Sequence, residues 1–177
     1  MTPGNIVSTF PAVIFCSWLL YFSAAAEDIP SQHYLGYTFS VGSILGRDAS
    51  ALSVSLDYDH EFQEQGFYGS GFSSSLEYDR EYDQGIDQVT ESINFYAGVF
   101  YLLNEKSDLS ISIGQSLRER TADGGSWGRG ESTAISSGVG YDINEYLSNH
   151  SVAATLNYEL DASEWAIGFE ISGSWGL

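Results

Sequence analysis

The sequence predicts an all-β fold, an eight-stranded antiparallel up-and-down barrel that crosses a membrane through its strands. Three observations predict it. After an apolar N-terminal segment, the 177-residue chain contains eight segments in which apolar and small polar residues alternate with period two. Turn-type residues separate these segments. One face of the segments carries bulky apolar and aromatic side chains, whereas the other is mostly Ser and Gly.

The N-terminal segment predicts a cleaved signal peptide over residues 1–26, with 27–177 as the mature barrel. It contains no Asp, Glu, Lys or Arg, and its apolar run is followed by small residues that fit an A-x-A cleavage site at Ala24 and Ala26. An uncleaved anchor is the alternative, but Pro11 and the short apolar run disfavour a span of about 20 residues. Cys16 is the chain's one cysteine, so disulfides and cysteine metal sites are excluded from the mature part.

The charge of the mature part narrows the possible partners. The chain carries 24 acidic and 6 basic residues, a net charge of −18, and all of them follow residue 26. Nucleic-acid binding needs a basic footprint, so it is excluded. Electrostatic docking on an anionic membrane surface is disfavoured for the same reason. Insertion into a bilayer stays possible if the charges avoid the positions that face lipid.

The eight alternating segments follow one another with turn residues between them, and each predicts one strand. They cover residues 35–42, 52–59, 72–79, 92–101, 109–114, 135–143, 152–160 and 165–177. In the second segment, for example, Leu52 and Val54 alternate with Ser53 and Ser55. Successive side chains of a strand point to opposite faces of the sheet, so every segment has one apolar and one polar face.

The two faces favour a membrane barrel over a soluble one. A soluble barrel of the lipocalin kind turns its apolar face inward, but an eight-stranded barrel has little room for so many aromatic side chains. A soluble surface also needs charges of both signs, whereas this polar face is mostly Ser and Gly. With the apolar face toward lipid, barrel closure satisfies all backbone hydrogen bonds. A soluble periplasmic ligand-binding barrel is kept as an alternative.

Connection lengths predict the orientation. The even-numbered turns, Gln63–Gln65, Asn104–Ser107 and Asn144–Asn149, are short, whereas Arg80–Gln88 and Glu119–Arg129 are long. Because short periplasmic turns and longer outer loops are the rule in such barrels, both termini are expected in the periplasm.

With these features the chain resembles the small eight-stranded outer-membrane proteins of the OmpA-transmembrane and OmpX type. The resemblance covers the signal peptide and essentially the whole mature chain, and it rests on architecture. It implies a Gram-negative outer-membrane location, insertion by the barrel assembly machinery, and outer-membrane lipid and lipopolysaccharide as surroundings. We expect a monomer without cofactor, either structural and surface-interacting or weakly permeable in a porin-like way.

An outer-membrane enzyme that modifies lipid is the alternative function. Ser148-Asn149-His150-Ser151 has the residue types of a lipid A deacylase, but in the wrong order and at a predicted periplasmic turn. His150 and Ser151 are adjacent and would point to opposite faces of a strand. Asp79, Glu81 and Asp83 are expected in a solvated acidic loop, together with Asp87. We therefore predict no catalytic, cofactor-binding or metal-binding residues.

Alternation sends five acidic side chains into the lumen and only one base, Arg118. The five are Asp57, Asp59, Glu77, Glu159 and Glu170. Unpaired buried carboxylates bind cations, take up protons or keep water, so we expect a hydrated, acidic lumen that favours cations. The alternative is a closed lumen that does not conduct.

Two further groups are expected at the membrane surfaces. Arg80 and Arg129 are predicted to contact lipopolysaccharide phosphates at the outer rim, because guanidinium matches phosphate geometry. Aromatic girdles are expected at the two interfaces, with members Tyr58, Phe62, Tyr101, Tyr141, Trp165 and Trp175.

Overall fold

The structure, a computed structural model, describes residues 31–62, 70–121 and 125–177. The predicted signal peptide and the Gln63–Gln65 turn lie outside the described residues. The strands are β1 (Ser31–Ile44), β2 (Ala49–Phe62), β3 (Ser70–Asp83), β4 (Gln88–Asn104), β5 (Ser107–Thr121), β6 (Gly128–Arg129), β7 (Thr133–Asp142), β8 (His150–Glu159) and β9 (Glu164–Gly176). Within the described ranges there is no helix with the length and hydropathy of a helical membrane span.

Eight strands form a closed antiparallel barrel. Each long strand pairs with the next one along the chain, and β9 pairs with β1 to close the ring. The two-residue strand β6 pairs only with the end of β5. Apart from β6, every strand has 10 to 17 residues, which is enough for the 9–11 residues that a tilted membrane strand needs. The predicted fold class, an eight-stranded up-and-down barrel, is confirmed.

The apolar side chains lie on the outside of the barrel. Leu56 is 66% exposed and Phe169 is 63% exposed, and no large side chain among the described residues is fully buried. The buried apolar residues of the described part are Ile44, Ala49 and Ala97. An apolar interior is therefore absent from the described barrel, and the alternative of a soluble barrel with its apolar face inside is wrong.

The two ends of the barrel differ. We call outer end the one that carries turns 45–48, 84–87 and 160–163 and the β5–β7 connection, and inner end the one where β1 begins and β9 ends. The expected long loop Arg80–Gln88 is wrong, because β3 and β4 remain paired up to Asp83 and Gln88. Only 84–87 connects them. The orientation of the two ends in the membrane stays a prediction.

A bulge in β5 changes the facing of Arg118. In the β4–β5 ladder Asn94 pairs with Ser116, whereas the preceding Ile93 pairs with Arg118, so Leu117 is an extra residue on β5. An extra residue reverses the facing of everything beyond it. Arg118 therefore lies on the outward side with Ile93, and its expected inward position is wrong.

The facing of the strands predicts which substitutions the barrel tolerates. Ile111 and Leu156 are exposed on the outward face, and an arginine at a central lipid-facing position costs about 2–4 kcal/mol. We expect Ile111→Arg and Leu156→Arg to abolish the folded, heat-modifiable band on gels after assembly into vesicles.

The matched controls are Ser112→Ala and Asn157→Ala, whose side chains line the lumen next to those positions. We expect both controls to assemble like the unmodified protein. Equal tolerance of the arginine variants and the controls would contradict the assignment of the two faces.

Candidate functional site: the acidic lumen and its outer mouth

The lumen contains a cavity of about 320 Å³ that is lined mostly by polar residues. Its lining includes no Lys or Arg. Eight carboxylic acids line it, namely Asp57, Glu77, Asp79, Glu81, Glu119, Glu159, Glu164 and Glu170. A cavity of this kind concentrates negative potential between low-dielectric walls and attracts cations.

Four of the five acids expected in the lumen line this cavity, namely Asp57, Glu77, Glu159 and Glu170. Asp59, the fifth, lies on the same side of β2 closer to the inner end, where it pairs with Tyr34 and Ser73.

Sequence reasoning missed the other four acids of the lining. Asp79 and Glu81 were expected in a solvated loop, but β3 continues through them and keeps them inward. Glu119 was expected to begin the long loop Glu119–Arg129, but β5 continues to Thr121, and the bulge at Leu117 leaves Glu119 on the inward side. Glu164 begins β9, one residue before its predicted segment. Asp79 ends the predicted segment 72–79, and extending the alternation of that segment by two residues would have found Glu81 as well.

Hydroxyl and amide groups hold the lumen carboxylates. Glu77 accepts hydrogen bonds from the Ser53 hydroxyl at 2.9 Å and from the Asn94 side-chain amide at 3.4 Å. Asp57 accepts one from the Thr38 hydroxyl at 2.8 Å. These donors orient the carboxylates, but they are neutral and compensate no charge. The carboxyl groups of the lumen therefore have neutral hydrogen-bond partners and no basic partner among the residues that line the described cavity.

Arg47 lies across the outer mouth of the lumen. It belongs to the β1–β2 turn, and its guanidinium donates to Glu164 on β9 at 2.7 Å, to Glu81 on β3 at 3.1 Å and to Asp83. All three carboxylates belong to the inward-facing sides of their strands. We call this ion-paired group the arginine cap. It joins β3 to β9 over the two strands between them and narrows the opening.

Two groups of the arginine cap, Arg47 and Asp83, keep their charges over a wide pH range. The hydrogen bonds that Arg47 donates to Asp83 and Glu164 raise the pKa of Arg47 further above its ordinary value. In turn, the hydrogen bond from Arg47 holds the pKa of Asp83 below its ordinary value. A carboxylate with a lowered pKa stays charged until the solution is more acidic than usual.

Aromatic rings narrow the lumen toward its inner end. The Phe100 ring lies over Gly71 of β3, where an added Cβ atom would be 2.2 Å from the ring. Tyr96, closer to the middle, lies over Gly114 of β5, with 2.1 Å between an added Cβ and the ring. The lining of the cavity includes Tyr96 but does not reach Phe100. Glycine on the neighbouring strand is what makes room for each ring.

His150 is not placed to activate Ser151. Its Nδ1 is 2.7 Å from the Ser148 backbone carbonyl, and its Nε2 is 2.9 Å from the Tyr37 hydroxyl. Both ring nitrogens thus have structural partners at the inner end. Ser151 follows on the opposite, inward side of β8, so the pair does not form the nucleophile and base that a hydrolase needs.

The residues expected to contact lipopolysaccharide are on the outside of the barrel at its outer end. Arg80 is exposed on β3, and Arg129 is exposed on β6 beside Arg118. None of these three lines the cavity.

Comparisons with known proteins identify the fold. No family model matches the chain, and no curated protein matches it. Among solved structures, the Yersinia pestis outer membrane protein Ail in a phospholipid bilayer nanodisc matches 82% of this chain and 100% of its own. The sequence identity is 15% and the TM-score is 0.50.

Two other solved barrels match with lower TM-scores. The N-terminal β-barrel domain of Pseudomonas aeruginosa OprF is 13% identical, covers 82% of this chain and 100% of its own, and has a TM-score of 0.49. Neisserial surface protein A is 13% identical, covers 81% and 95%, and has a TM-score of 0.44. The fold of the chain is that of the small eight-stranded outer-membrane barrels.

The arginine cap predicts a pH-dependent contribution to stability. Because the pKa of Asp83 is lowered on folding, its contribution is complete above the ordinary Asp value near 4 and is lost as the pH falls below it. We expect the Tm difference between the protein and Arg47→Gln to stay constant from pH 7 to 5 and to shrink below about pH 4. Arg129→Gln, which removes no described ion pair, should show no such pH dependence. A difference that grows on acidification would contradict the role of the cap.

The crowded glycines predict a second effect on stability. A Cβ atom at Gly98 would be 2.2 Å from the Ile111 carbonyl oxygen, so Gly98→Ala requires the backbone to shift. We expect it to lower the free energy of unfolding by about 1–3 kcal/mol, measured by urea titration in detergent micelles. The control is Gly176→Ala, where the nearest atom would be 3.9 Å away, and it should be nearly neutral. Equal stability of both variants would show that the barrel wall is looser there.

Proposed function

We propose that the chain is an integral outer-membrane β-barrel without enzymatic activity, whose acidic lumen is weakly permeable to cations. The observation that carries the proposal is the cavity lined by eight carboxylic acids and no base.

The outer surface supports membrane insertion. A continuous set of exposed apolar side chains surrounds the barrel, and ring closure pairs the edge strands β1 and β9. These are the two conditions for a β-sheet in hydrocarbon. We propose that the N-terminal segment exports the chain, that the barrel assembly machinery inserts it, and that it functions as a monomer.

The lumen supports passage of cations. Water-filled space next to uncompensated carboxylates attracts small cations, and the same field repels anions. Hydroxyl groups such as Ser40 and Ser53, whose oxygens are 2.6 Å apart, line the same space and offer ligands to hydrated ions. An anion that crossed the lumen would have to pass these carboxylates without contacting any basic residue of the cavity lining.

The two ends support a low conductance. The arginine cap places a positive charge and three bound carboxylates across the outer mouth. Phe100 and Gly71 pack together at the inner end. An eight-stranded barrel is in any case only wide enough for its own side chains to fill, so permeation is expected to be slow.

Reversal potentials in planar bilayers with a KCl gradient test the proposal. We expect a small conductance with preference for K⁺ over Cl⁻. Glu77→Gln combined with Glu170→Gln removes two lumen charges and should reduce the preference, because fewer carboxylates then attract cations. No conductance in either protein, or preference for Cl⁻, would contradict the proposed permeability.

The arginine cap gives a second, independent readout. We expect Arg47→Gln to raise the conductance severalfold while keeping the cation preference, because the ion-paired group then opens and a positive charge leaves the mouth. Lys106→Gln is the control, since Lys106 is paired with Glu145 in turns at the inner end. An unchanged conductance in Arg47→Gln would show that the cap does not limit permeation.

A further inference from the structure

Most of the chain's basic residues lie together on the outside of the barrel at its outer end. Six residues of the chain are basic. Two of them lie elsewhere, because Arg47 belongs to the arginine cap and Lys106 to a turn at the inner end. The four that lie together are Arg80, Arg118, Arg120 and Arg129, and we call them the arginine patch.

The strand ladders make the arginine patch continuous. Glu91 of β4 pairs with Arg80 of β3 on one side and with Arg120 of β5 on the other. Arg118 of β5 pairs with Arg129 of β6. Directly paired residues on one face of a sheet have their Cβ atoms about 5 Å apart. Four arginines from three strands therefore occupy neighbouring positions on one side of the barrel wall, with Glu91 between Arg80 and Arg120.

One arginine of the patch is held in place by protein groups. Arg120 donates from its Nε to Glu91 at 2.6 Å, and its guanidinium lies 4.6 Å from the centre of the Trp127 ring. Glu91 is almost completely covered, although it is on the outward side of its strand. A guanidinium that is bonded through Nε and stacked on an aromatic ring is pre-organised to present its remaining N–H groups.

The other three arginines form no ion pair within the described part of the chain, although Arg80 lies beside Glu91 in the ladder and interacts with it electrostatically. Arg80, Arg118 and Arg129 are exposed, and no described carboxylate lies within 4 Å of their guanidinium groups. Glu131 is close in sequence to Arg129 but forms no ion pair with it. In a chain with a net charge of −18, three bases without a described ion pair on one side of the barrel are an uncommon concentration of positive charge.

The patch lies at the edge of the apolar surface. On the outward side of β3, Arg80 is the next residue beyond Tyr78 toward the outer end. On β4, which runs in the opposite direction, Glu91 is the next outward residue beyond Ile93 toward the same end. A charge on a lipid-facing position costs little only near the interface. Lipid phosphates are found at that same level, and the guanidinium fork binds phosphate oxygens with two parallel hydrogen bonds.

We propose that the arginine patch binds phosphate groups of a phosphorylated glycolipid in the outer leaflet, which rests on the proposed membrane insertion and orientation. Four donors from three strands match a ligand with more than one phosphate, because the groups are spread over neighbouring strands. The rest of the acidic chain repels anionic lipid, so the patch is the surface where charge complementarity favours such a ligand.

Native mass spectrometry of the detergent-solubilised protein tests the proposal. The probes are bisphosphorylated lipid A, the same lipid without phosphates, and phosphatidylglycerol. We expect lipid A to bind the unmodified protein at least roughly tenfold more tightly than the dephosphorylated form does, about 1.4 kcal/mol. The combined variant Arg80→Gln, Arg118→Gln and Arg129→Gln should lose this difference, and it keeps the Arg120–Glu91 pair.

Two controls separate charge from geometry. Lys106→Gln removes a positive charge at the inner end and should bind lipid A like the unmodified protein. The same three arginines changed to Lys should bind with intermediate affinity, because Lys keeps the charge but not the fork. Binding of the triple Gln variant equal to that of the unmodified protein would overturn the proposal.

Two further outcomes would also overturn it. Tighter binding of phosphatidylglycerol than of lipid A would assign the patch to another phospholipid, and displacement of lipid A by equimolar inorganic phosphate would assign it to free phosphate. Membrane insertion and conductance of the triple Gln variant are measured in parallel. If both are normal while lipid A binding is unchanged from the unmodified protein, only this inference fails; if the unmodified protein does not insert, the proposed function fails.

Discussion

The rest of the structure depends on the pairing of β9 with β1, which closes the ring. In hydrocarbon an unpaired backbone N–H or C=O group costs several kcal/mol because no water is available to bond it. Closure removes both free edges at once. Only then can the apolar side chains face outward, because the backbone behind them is fully bonded, and only then does an enclosed space arise on the other side of the sheet.

That enclosed space explains the residues of the inward face. Eight strands leave little internal width, so small residues predominate and glycine is placed wherever a neighbouring strand contributes a ring. Gly114 beneath Tyr96 is one example. The carboxylates are bonded to hydroxyl and amide groups, and the one described base near them is at the mouth. The interior is therefore polar and acidic, unlike the apolar core of a soluble protein.

Much of this was readable in the sequence, because period-two alternation is a local signal that survives without any tertiary information. The strand number, the outward apolar face and inward acids such as Glu77 followed from it directly. The predictions that were wrong concern features that depend on contacts between strands. The bulge at Leu117 depends on the register between two strands and reverses Arg118, and the length of β3 depends on its pairing with β4. The contact of Arg47 with β3 and β9 joins residues far apart in the chain, so no local sequence pattern predicts it.

The distribution of charge across the barrel wall has a consequence for the membrane around it. Carboxylates line the inside, whereas the arginine patch occupies one sector of the outside, on β3, β5 and β6. Around its axis the molecule is therefore not electrically uniform. In a leaflet that contains anionic lipids, these lipids would collect next to the arginine patch. Uncharged lipids would then surround the opposite side of the barrel. Lateral crowding at the cell surface would then be directional, with the barrel ordering the molecules beside it as well as residing among them.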